Sequence, residues 1–164
     1  MIKKKIVMLG SFAVGKTSLV QRFVNSIFSE KYHTTIGVKI DQKTMIVDNT
    51  EVNLLLWDIH GEDDYQKIKP TYLMGASGCF IVIDGTRRAT IETGNRLIEI
   101  VKKTVPTSSI VVVINKSDLK DSWEITEDDI YSFRSKGYEV IETSAKTNNA
   151  VEFAFEKITR LMLN

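Results

Sequence analysis

Apolar residues follow two alternating patterns along this chain. Short runs at 5–9, 79–83, 111–114 and 139–141 are rich in β-branched residues and predict buried strands. Longer segments place apolar residues every three or four positions, most clearly Val151, Ala154, Phe155, Ile158, Leu161 and Met162, and these predict helices. Strands that alternate with helices predict an α/β fold whose mostly parallel sheet is covered on both faces.

One pair of strands departs from the parallel pattern. Residues 38–47 and 51–57 both read as strands, and only Asp48, Asn49 and Thr50 separate them. A connection this short permits only an antiparallel hairpin. We therefore expect a mixed sheet.

Length and charge limit the classes of protein that the chain can belong to. With 164 residues, it is expected to form a single domain over 1–164. Its 22 basic and 21 acidic residues give a net charge of +1, too balanced for a broad nucleic-acid footprint. We expect a monomer that binds neither DNA nor RNA.

The sequence also bears on the cellular compartment. Its single cysteine, Cys79, lies in an apolar run and suits a buried thiol in a reducing, cytoplasmic environment. Lys3, Lys4 and Lys5 precede too short an apolar run for a signal peptide and are interpreted as the entry to a strand. No segment is long enough to span a bilayer, and residues 159–164 hold no cysteine for prenylation, so we expect no membrane insertion.

The strongest motif is a phosphate-binding loop. Gly10-Ser11-Phe12-Ala13-Val14-Gly15-Lys16-Thr17 fits G-x-x-x-x-G-K-[ST], between a predicted strand and a segment of helical period. In such a loop backbone N–H groups surround a polyphosphate, Lys16 reaches the β- and γ-phosphates, and the Thr17 hydroxyl can bind magnesium. The motif alone leaves ATPases, nucleotide kinases and GTPases open.

Two further elements favour guanine as the base. Asn115-Lys116-Ser117-Asp118 follows a predicted strand, and Thr143-Ser144-Ala145-Lys146 follows the next one, which places both at the carboxyl edge of the sheet. The Asp118 carboxylate can accept two hydrogen bonds from guanine, whereas adenine lacks the paired donors. The second element could offer backbone N–H groups to the base carbonyl.

Together with Thr34-Thr35-Ile36-Gly37 and Trp57-Asp58-Ile59-His60-Gly61, these motifs resemble the Ras superfamily of small GTPases, and the Rab group most. The resemblance implies a P-loop NTPase G domain. It would have a six-stranded sheet of order 2-3-1-4-5-6 with strand 2 antiparallel, and about five helices on both faces. It also implies that the cofactors are GTP or GDP and Mg²⁺.

The resemblance assigns roles to individual residues. Metal ligands would be Thr17, Thr35 and Asp58, and catalytic residues would be Lys16, Thr35, Gly61 and Glu62. The nucleotide would be bound by Phe12, Ala13, Val14, Gly15, Lys16, Thr17, Ser18, Phe28, Thr35, Gly61, Asn115, Lys116, Asp118, Leu119, Ser144, Ala145 and Lys146. Among these, Phe28 would pack against the base and Asn115 would brace the loop.

Loss of the γ-phosphate would release two switch segments, 29–38 and 59–74, to which effectors, exchange factors and activators would bind. The resemblance places an exposed apolar patch at Ile40, Trp57 and Tyr72; ordinary core packing is the alternative for Trp57. Ile40 replaces a usual phenylalanine. The identity of the partners therefore does not transfer from the family.

The chain departs from the family where hydrolysis is most sensitive. Glu62 stands where a water-orienting glutamine is usual, and an ionised glutamate can accept but not donate. Phe12 and Ala13 crowd the loop, and His60 is either an exposed switch residue or a group that positions water. No arginine lies in either switch segment, so a catalytic arginine would come from Arg87, Arg88 or a partner.

Three functions remain open from the sequence. The first is a GTP/GDP switch with slow, Mg²⁺-dependent hydrolysis, and the second is a GTP-holding interaction module with negligible hydrolysis. The third, a P-loop nucleotide or small-molecule kinase, is disfavoured by Asp118.

Overall fold

A computed structural model describes residues 1–30, 37–61 and 67–164. The strands are β1 (Ile2–Gly10), β2 (Val38–Val47), β3 (Thr50–Ile59), β4 (Gly78–Asp84), β5 (Ser109–Asn115) and β6 (Glu139–Glu142). In the described ranges the α-helices are α1 (Lys16–Asn25), α2 (Ala89–Thr104), α3 (Glu127–Ser135) and α4 (Val151–Leu163). Two 3₁₀ helices cover Pro70–Leu73 and Ser117–Ser122.

The six strands form one sheet in the order β2-β3-β1-β4-β5-β6. All neighbouring pairs are parallel except β2 and β3, which confirms the predicted order and the antiparallel second strand. Asp48 and Asn49 make the hairpin turn with φ of 51° and 65°, the left-handed conformation that tight two-residue hairpins require. Thr50, predicted to belong to the turn, is the first residue of β3.

The apolar runs of the central strands are continuous because both faces of the sheet are buried. In β1, Ile6 and Met8 belong to one hydrophobic cluster, and Val7 and Leu9 belong to another on the opposite face. Helices α1 and α4 complete the first cluster, and α2 and α3 complete the second. Because both faces of the sheet are packed, the edge at which its parallel strands end is held in a fixed position.

The structure gives the limits of two helices that the apolar pattern alone did not locate. Helix α1 ends at Asn25 because Ser26 adopts a left-handed conformation with φ of 57°, so Ile27 lies outside it and is exposed. Helix α3 was not predicted; a capping box in which Thr126 and Asp129 exchange hydrogen bonds starts it. Among the residues described, no helix combines the length and the apolarity needed to cross a membrane.

We expect Phe155→Leu to lower the free energy of unfolding by about 1–3 kcal/mol, because it removes two aromatic pairs. Phe155 stacks on Phe23 with ring centroids 3.9 Å apart and meets Phe80 edge-on at 4.9 Å. Urea denaturation followed by circular dichroism measures the loss. The control is Phe153→Leu on the same helix, where the ring is 54% exposed and the loss should stay within about 0.5 kcal/mol. Equal losses for both variants would contradict the packing argument.

Candidate functional site

The functional motifs converge at the carboxyl edge of the sheet. β1 ends at Gly10, where the phosphate-binding loop begins, and β3 carries Asp58 near its end. β4 ends at Asp84, β5 ends at Asn115, and β6 leads into residues 143–146. Open α/β sheets bind ligands at this edge, and here it encloses a cavity of about 290 Å³.

Most of the predicted nucleotide-binding residues line this cavity. Its walls are Phe12, Ala13, Gly15, Lys16, Thr17, Ser18, Phe28, Ser29, Glu30, Gly61, Asn115, Lys116, Asp118, Leu119, Ala145 and Lys146. Val14 and Ser144 are fully buried behind the wall and do not line it. Ser29 and Glu30 were not predicted to bind nucleotide, although they follow Phe28 directly. Thr35 and Glu62, predicted as ligand and catalytic residues, lie outside the described residues.

The loop backbone wraps closely around the Lys16 side chain. Lys16 Nζ donates to the carbonyl oxygens of Gly10 at 3.3 Å and Ser11 at 3.1 Å. A Cβ on Gly61 would lie 2.5 Å from the Phe12 Cα and 3.1 Å from Lys16 Nζ, so this close approach requires glycine. Ala13 adopts a left-handed φ of 62° and thus keeps the loop shape without the usual glycine.

Lys16 and Asp58 are both buried and influence each other electrostatically. Burial lowers the pKa of Lys16 to about 8, although the Asp58 carboxylate acts in the opposite direction. Burial also raises the pKa of Asp58, against a hydrogen bond from Thr17 and the charge of Lys16. Burial thus disfavours the charged form of both groups, and an opposite charge from a ligand or a cation would favour it.

The donor set around Thr17 fits a magnesium ion. The Thr17 hydroxyl donates to Asp58 Oδ2 at 2.5 Å, while the buried Asp58 Oδ1 has no hydrogen-bond partner among the described residues. Mg²⁺ is commonly bound by one or two protein oxygens together with waters and substrate phosphates. In the described ranges, no group of three or more acidic, histidine or cysteine side chains could hold a metal ion. Binding through one or two protein oxygens, waters and phosphates does not need such a group.

Asn115 joins the phosphate loop to residues 143–146, which together with residues 115–118 are the segments predicted to bind the base (the base-binding segments). Its Nδ2 donates to the Val14 carbonyl oxygen at 3.1 Å, and its Oδ1 accepts from the Thr143 hydroxyl at 3.1 Å and the Ala145 N–H at 3.4 Å. A Cβ on Gly15 would lie 2.3 Å from Asn115 Nδ2, so the two motifs are in direct contact. Asn115 therefore connects the phosphate loop to residues 143–145.

The carboxylate of Asp118 is exposed at the mouth of the cavity, and a second motif orients it. Its Oδ1 accepts a hydrogen bond from the buried Ser144 hydroxyl at 2.7 Å. Lys116 has a left-handed φ of 73°, which starts the 3₁₀ helix that carries Asp118. The two motifs that were predicted separately therefore form one structural unit.

Arg22 supports the base-binding segment from helix α1 and was not predicted from the sequence. Its Nε and Nη2 donate to the carbonyl oxygens of Ala145 at 2.8 Å and Lys146 at 2.9 Å. Its Nη1 donates to the Ser26 carbonyl oxygen at 3.2 Å. One guanidinium thus ties the end of α1, shortly before Phe28, to the segment after β6; no motif indicates this contact.

A tryptophan packs behind the base-binding helix. A Cβ on Gly85 would lie 1.9 Å from the Trp123 ring, so the end of β4 and this ring are in contact only because residue 85 is glycine. Lys120 Nζ lies 4.2 Å from the centre of the same ring. The segment that carries Asp118 is therefore anchored to the central sheet.

The switch side of the site brings one correction. His60 is not exposed: it is 8% exposed, its Nε2 lies 3.3 Å from the Lys67 carbonyl oxygen, and its ring meets Tyr72 edge-on. Its backbone N–H donates to the Gly37 carbonyl oxygen at 2.9 Å. The side chain packs under residues 67–72 rather than facing solvent, because the end of β3 is covered there.

The patch predicted at Ile40, Trp57 and Tyr72 is only partly exposed. Ile40 and Trp57 are cross-strand partners on β2 and β3, and Ile40 is 49% exposed. Trp57 and Tyr72 are half-buried and pack on the second hydrophobic cluster, so Trp57 also contributes to the core. Lys5 Nζ lies 3.5 Å from the centre of the Trp57 ring.

Comparison with known proteins agrees with the geometry. The Ras family model matches residues 5–164. The chain is 35% identical over 161 residues to the Ras-related protein RABF2b of Arabidopsis thaliana, covering 97% of this chain and 80% of the relative. It is 35% identical over 161 residues to Ras-related protein Rab-1 of Theileria annulata (96% and 73% covered). It is 34% identical over 158 residues to Ras-related protein Rab-25 of Bos taurus (95% and 74% covered). The chain therefore belongs to the Ras family of small GTPases and is Rab-like.

Proposed function

We propose that residues 1–164 act as one G domain that switches between GTP- and GDP-bound states and hydrolyses GTP slowly with Mg²⁺. The observation that carries this proposal is the single cavity of about 290 Å³ that joins the phosphate loop to Asp118. Phosphate-binding and base-binding groups thus face the same space. A nucleoside polyphosphate fits this combination of chemistry better than an isolated phosphate or base.

The base is held by the segments after β5 and β6. The Asp118 carboxylate accepts hydrogen bonds from the ring N–H and the exocyclic amine of guanine. The hydrogen bond that the Ser144 hydroxyl donates to Asp118 Oδ1 fixes the orientation of the carboxylate. The Ala145 N–H, which lies 3.4 Å from Asn115 Oδ1, is a weakly held donor that can turn to the guanine carbonyl. Phe28, which is half-buried against the first cluster, packs on the base.

The phosphates are held by the loop and by Lys16. Backbone N–H groups at the start of α1 donate to the phosphate oxygens, and the Lys16 ammonium exchanges its carbonyl contacts for the β- and γ-phosphates. Thr17, Asp58 and Thr35 would hold the Mg²⁺ ion, directly or through water. When bound, the ion neutralises charge on the β- and γ-phosphate oxygens.

Hydrolysis requires a water aligned with the γ-phosphate. The Gly61 N–H donates to the γ-phosphate, and Lys16 stabilises the charge that develops as the bond to the β-phosphate breaks. Glu62 follows Gly61 in the sequence, at the position where the family has the glutamine that orients this water. Its carboxylate can accept a proton from water but cannot donate to the phosphate, so we propose slow turnover.

We expect Glu62→Gln to accelerate single-turnover GTP hydrolysis about tenfold or more, because glutamine can both donate and accept while it orients water. The measurement uses the purified chain preloaded with radiolabelled GTP, with Mg²⁺ added to start the reaction. Asp63→Asn is the control, since it removes a neighbouring carboxylate charge without altering the residue after Gly61.

The same assay tests the proposal itself. A rate for the unaltered chain equal to that of free GTP in buffer would refute hydrolysis. The chain would then be a GTP-holding interaction module. No acceleration in Glu62→Gln would show that another residue, such as Phe12 with its 43% exposed ring at the cavity, limits the rate.

Partners would recognise the nucleotide state through the switch segments 29–38 and 59–74. Of these, residues 31–36 and 62–66 lie outside the described residues. Ile40 and Trp57, paired on β2 and β3, lie between the two segments in sequence, and the described part of the second segment holds Tyr72 and Met74, which is 61% exposed. We propose that effectors and regulators contact this apolar surface.

A further inference from the structure

Two adjacent arginines follow β4, and they have different partners. Arg88 pairs with Asp129 and donates to the Glu124 carbonyl oxygen, so it faces helix α3. Arg87 turns the other way: its Nη2 donates to the Phe12 carbonyl oxygen at 2.7 Å. Of the two, Arg87 is therefore the one that reaches the phosphate-binding loop.

The other side of the Arg87 guanidinium is fixed to a buried carboxylate. Arg87 Nε lies 3.0 Å from Asp84 Oδ2, and Lys116 Nζ lies 2.8 Å from the same oxygen. The N–H and hydroxyl of Thr86 donate to Asp84 Oδ1 at 2.9 and 2.7 Å. Burial alone would raise the pKa of Asp84, but the hydrogen bonds from Lys116, Thr86 and Arg87 lower it below its ordinary value.

These contacts connect both halves of the nucleotide site. Asp84 holds Lys116, which belongs to the base-binding segment, and through Arg87 it also holds the Phe12 carbonyl. We propose that Arg87 is a positioning residue, which fixes the phosphate loop to the same carboxylate that holds the base-binding segment. This inference rests on the proposed binding of guanine nucleotide.

The contact with Phe12 has a direct consequence for an anion. A carbonyl oxygen that pointed at the phosphates would repel them. The hydrogen bond from Arg87 instead orients the Phe12 carbonyl dipole toward the guanidinium cation. The guanidinium also brings positive charge close to the loop.

The test uses the full chain loaded with GDP and Mg²⁺. We expect Arg87→Ala to shift the phosphorus NMR resonance of the bound β-phosphate and to release a fluorescent GDP analogue about tenfold faster, the effect of losing one charge-assisted hydrogen bond. Arg87→Lys, which keeps the charge but loses the fork, should fall between. Arg88→Ala removes the adjacent exposed arginine, and it should leave the resonance and the release rate unchanged.

The shared carboxylate gives a second readout. Arg87 and Lys116 both contact Asp84 Oδ2, so the effects of removing them are coupled. The increase in the GDP release rate of the double variant Arg87→Ala/Lys116→Ala should therefore be smaller than the product of the increases in the two single variants. A purely structural role for Arg87 would lower the thermal midpoint without moving the β-phosphate resonance. An unshifted resonance with a release rate within twofold of the unaltered chain would overturn the proposal.

The two levels of inference fail in different ways. If the unaltered chain shows no bound GDP resonance, the proposed function is wrong. If GDP binds and Arg87→Ala leaves its resonance in place, only the role of Arg87 is wrong. Should Arg87→Ala not fold, Arg87→Lys gives the same decision from the same spectrum.

Discussion

Lys16→Ala is expected to weaken the binding of GDP and GTP by about 10²–10⁴-fold, the cost of two charge-assisted hydrogen bonds to phosphate. Lys16 is buried at the base of the cavity, and its ammonium donates to the carbonyl oxygens of Gly10 and Ser11 at 3.3 and 3.1 Å. These are neutral acceptors. Phosphate oxygens are better partners for the ammonium, so we expect Lys16 to leave the two carbonyl oxygens when a phosphate binds.

Titration with a fluorescent GDP analogue measures the loss for Lys16→Ala. Lys102→Ala removes an equal charge from an exposed side chain on α2 and serves as the matched control, with unchanged affinity. Circular dichroism would show that both variants fold. If a folded Lys16→Ala bound GDP as tightly as the unaltered chain, the loop at residues 10–17 would not be the phosphate site.

Asp118→Asn is expected to exchange guanine for xanthine specificity. Two hydrogen bonds from guanine to a carboxylate are lost, which should weaken GDP binding by about 10²–10⁴-fold. Xanthine carries an oxygen in place of the exocyclic amine, and the asparagine NH₂ group can donate to it. Xanthosine diphosphate should therefore bind the variant more tightly than GDP does.

The structure makes Asp118→Asn a clean test. Asparagine keeps an oxygen that can accept from the Ser144 hydroxyl, so the contact between the two base-binding segments survives. Asp121→Asn is the control: it lies in the same 3₁₀ helix, is exposed, and does not line the cavity. Competition between GDP and xanthosine diphosphate gives the ratio of affinities. An unchanged ratio in Asp118→Asn would place the base elsewhere.

Backbone architecture was the part most accessible from the sequence. The apolar run of residues 79–83 could be assigned to a strand because both faces of β4 are buried, and the Asp48-Asn49 turn gave the hairpin. Strand order came from the family resemblance and was confirmed. Helix α3 was missed because it buries only Ile130 and Phe133, too few apolar positions to show a period.

Within the site, the motifs indicated the side chains that are proposed to contact a ligand. They did not indicate the side chains that hold those segments in position. Asp118 and Lys16 were found because their spacing follows from the chemistry of nucleotides. Arg22 and Arg87 were not assigned their contacts, since both donate to carbonyl oxygens far away in sequence, and any residue can supply a carbonyl. Of the two alternatives for His60, the exposed one was wrong, because its cover comes from residues 67–72, whose position no local pattern encodes.

The chain has two tryptophans, and their positions make them independent optical probes. Trp57 precedes Asp58 on β3 and has a lysine ammonium over its ring, whereas Trp123 follows the helix that carries Asp118 and packs on Gly85. In variants that keep only one tryptophan, we expect Trp57 fluorescence to respond to ligand at the phosphate end of the cavity and Trp123 fluorescence to respond to ligand at the base end. Rapid mixing could thus time, without any added dye, whether the base or the phosphates of an incoming nucleotide are seated first.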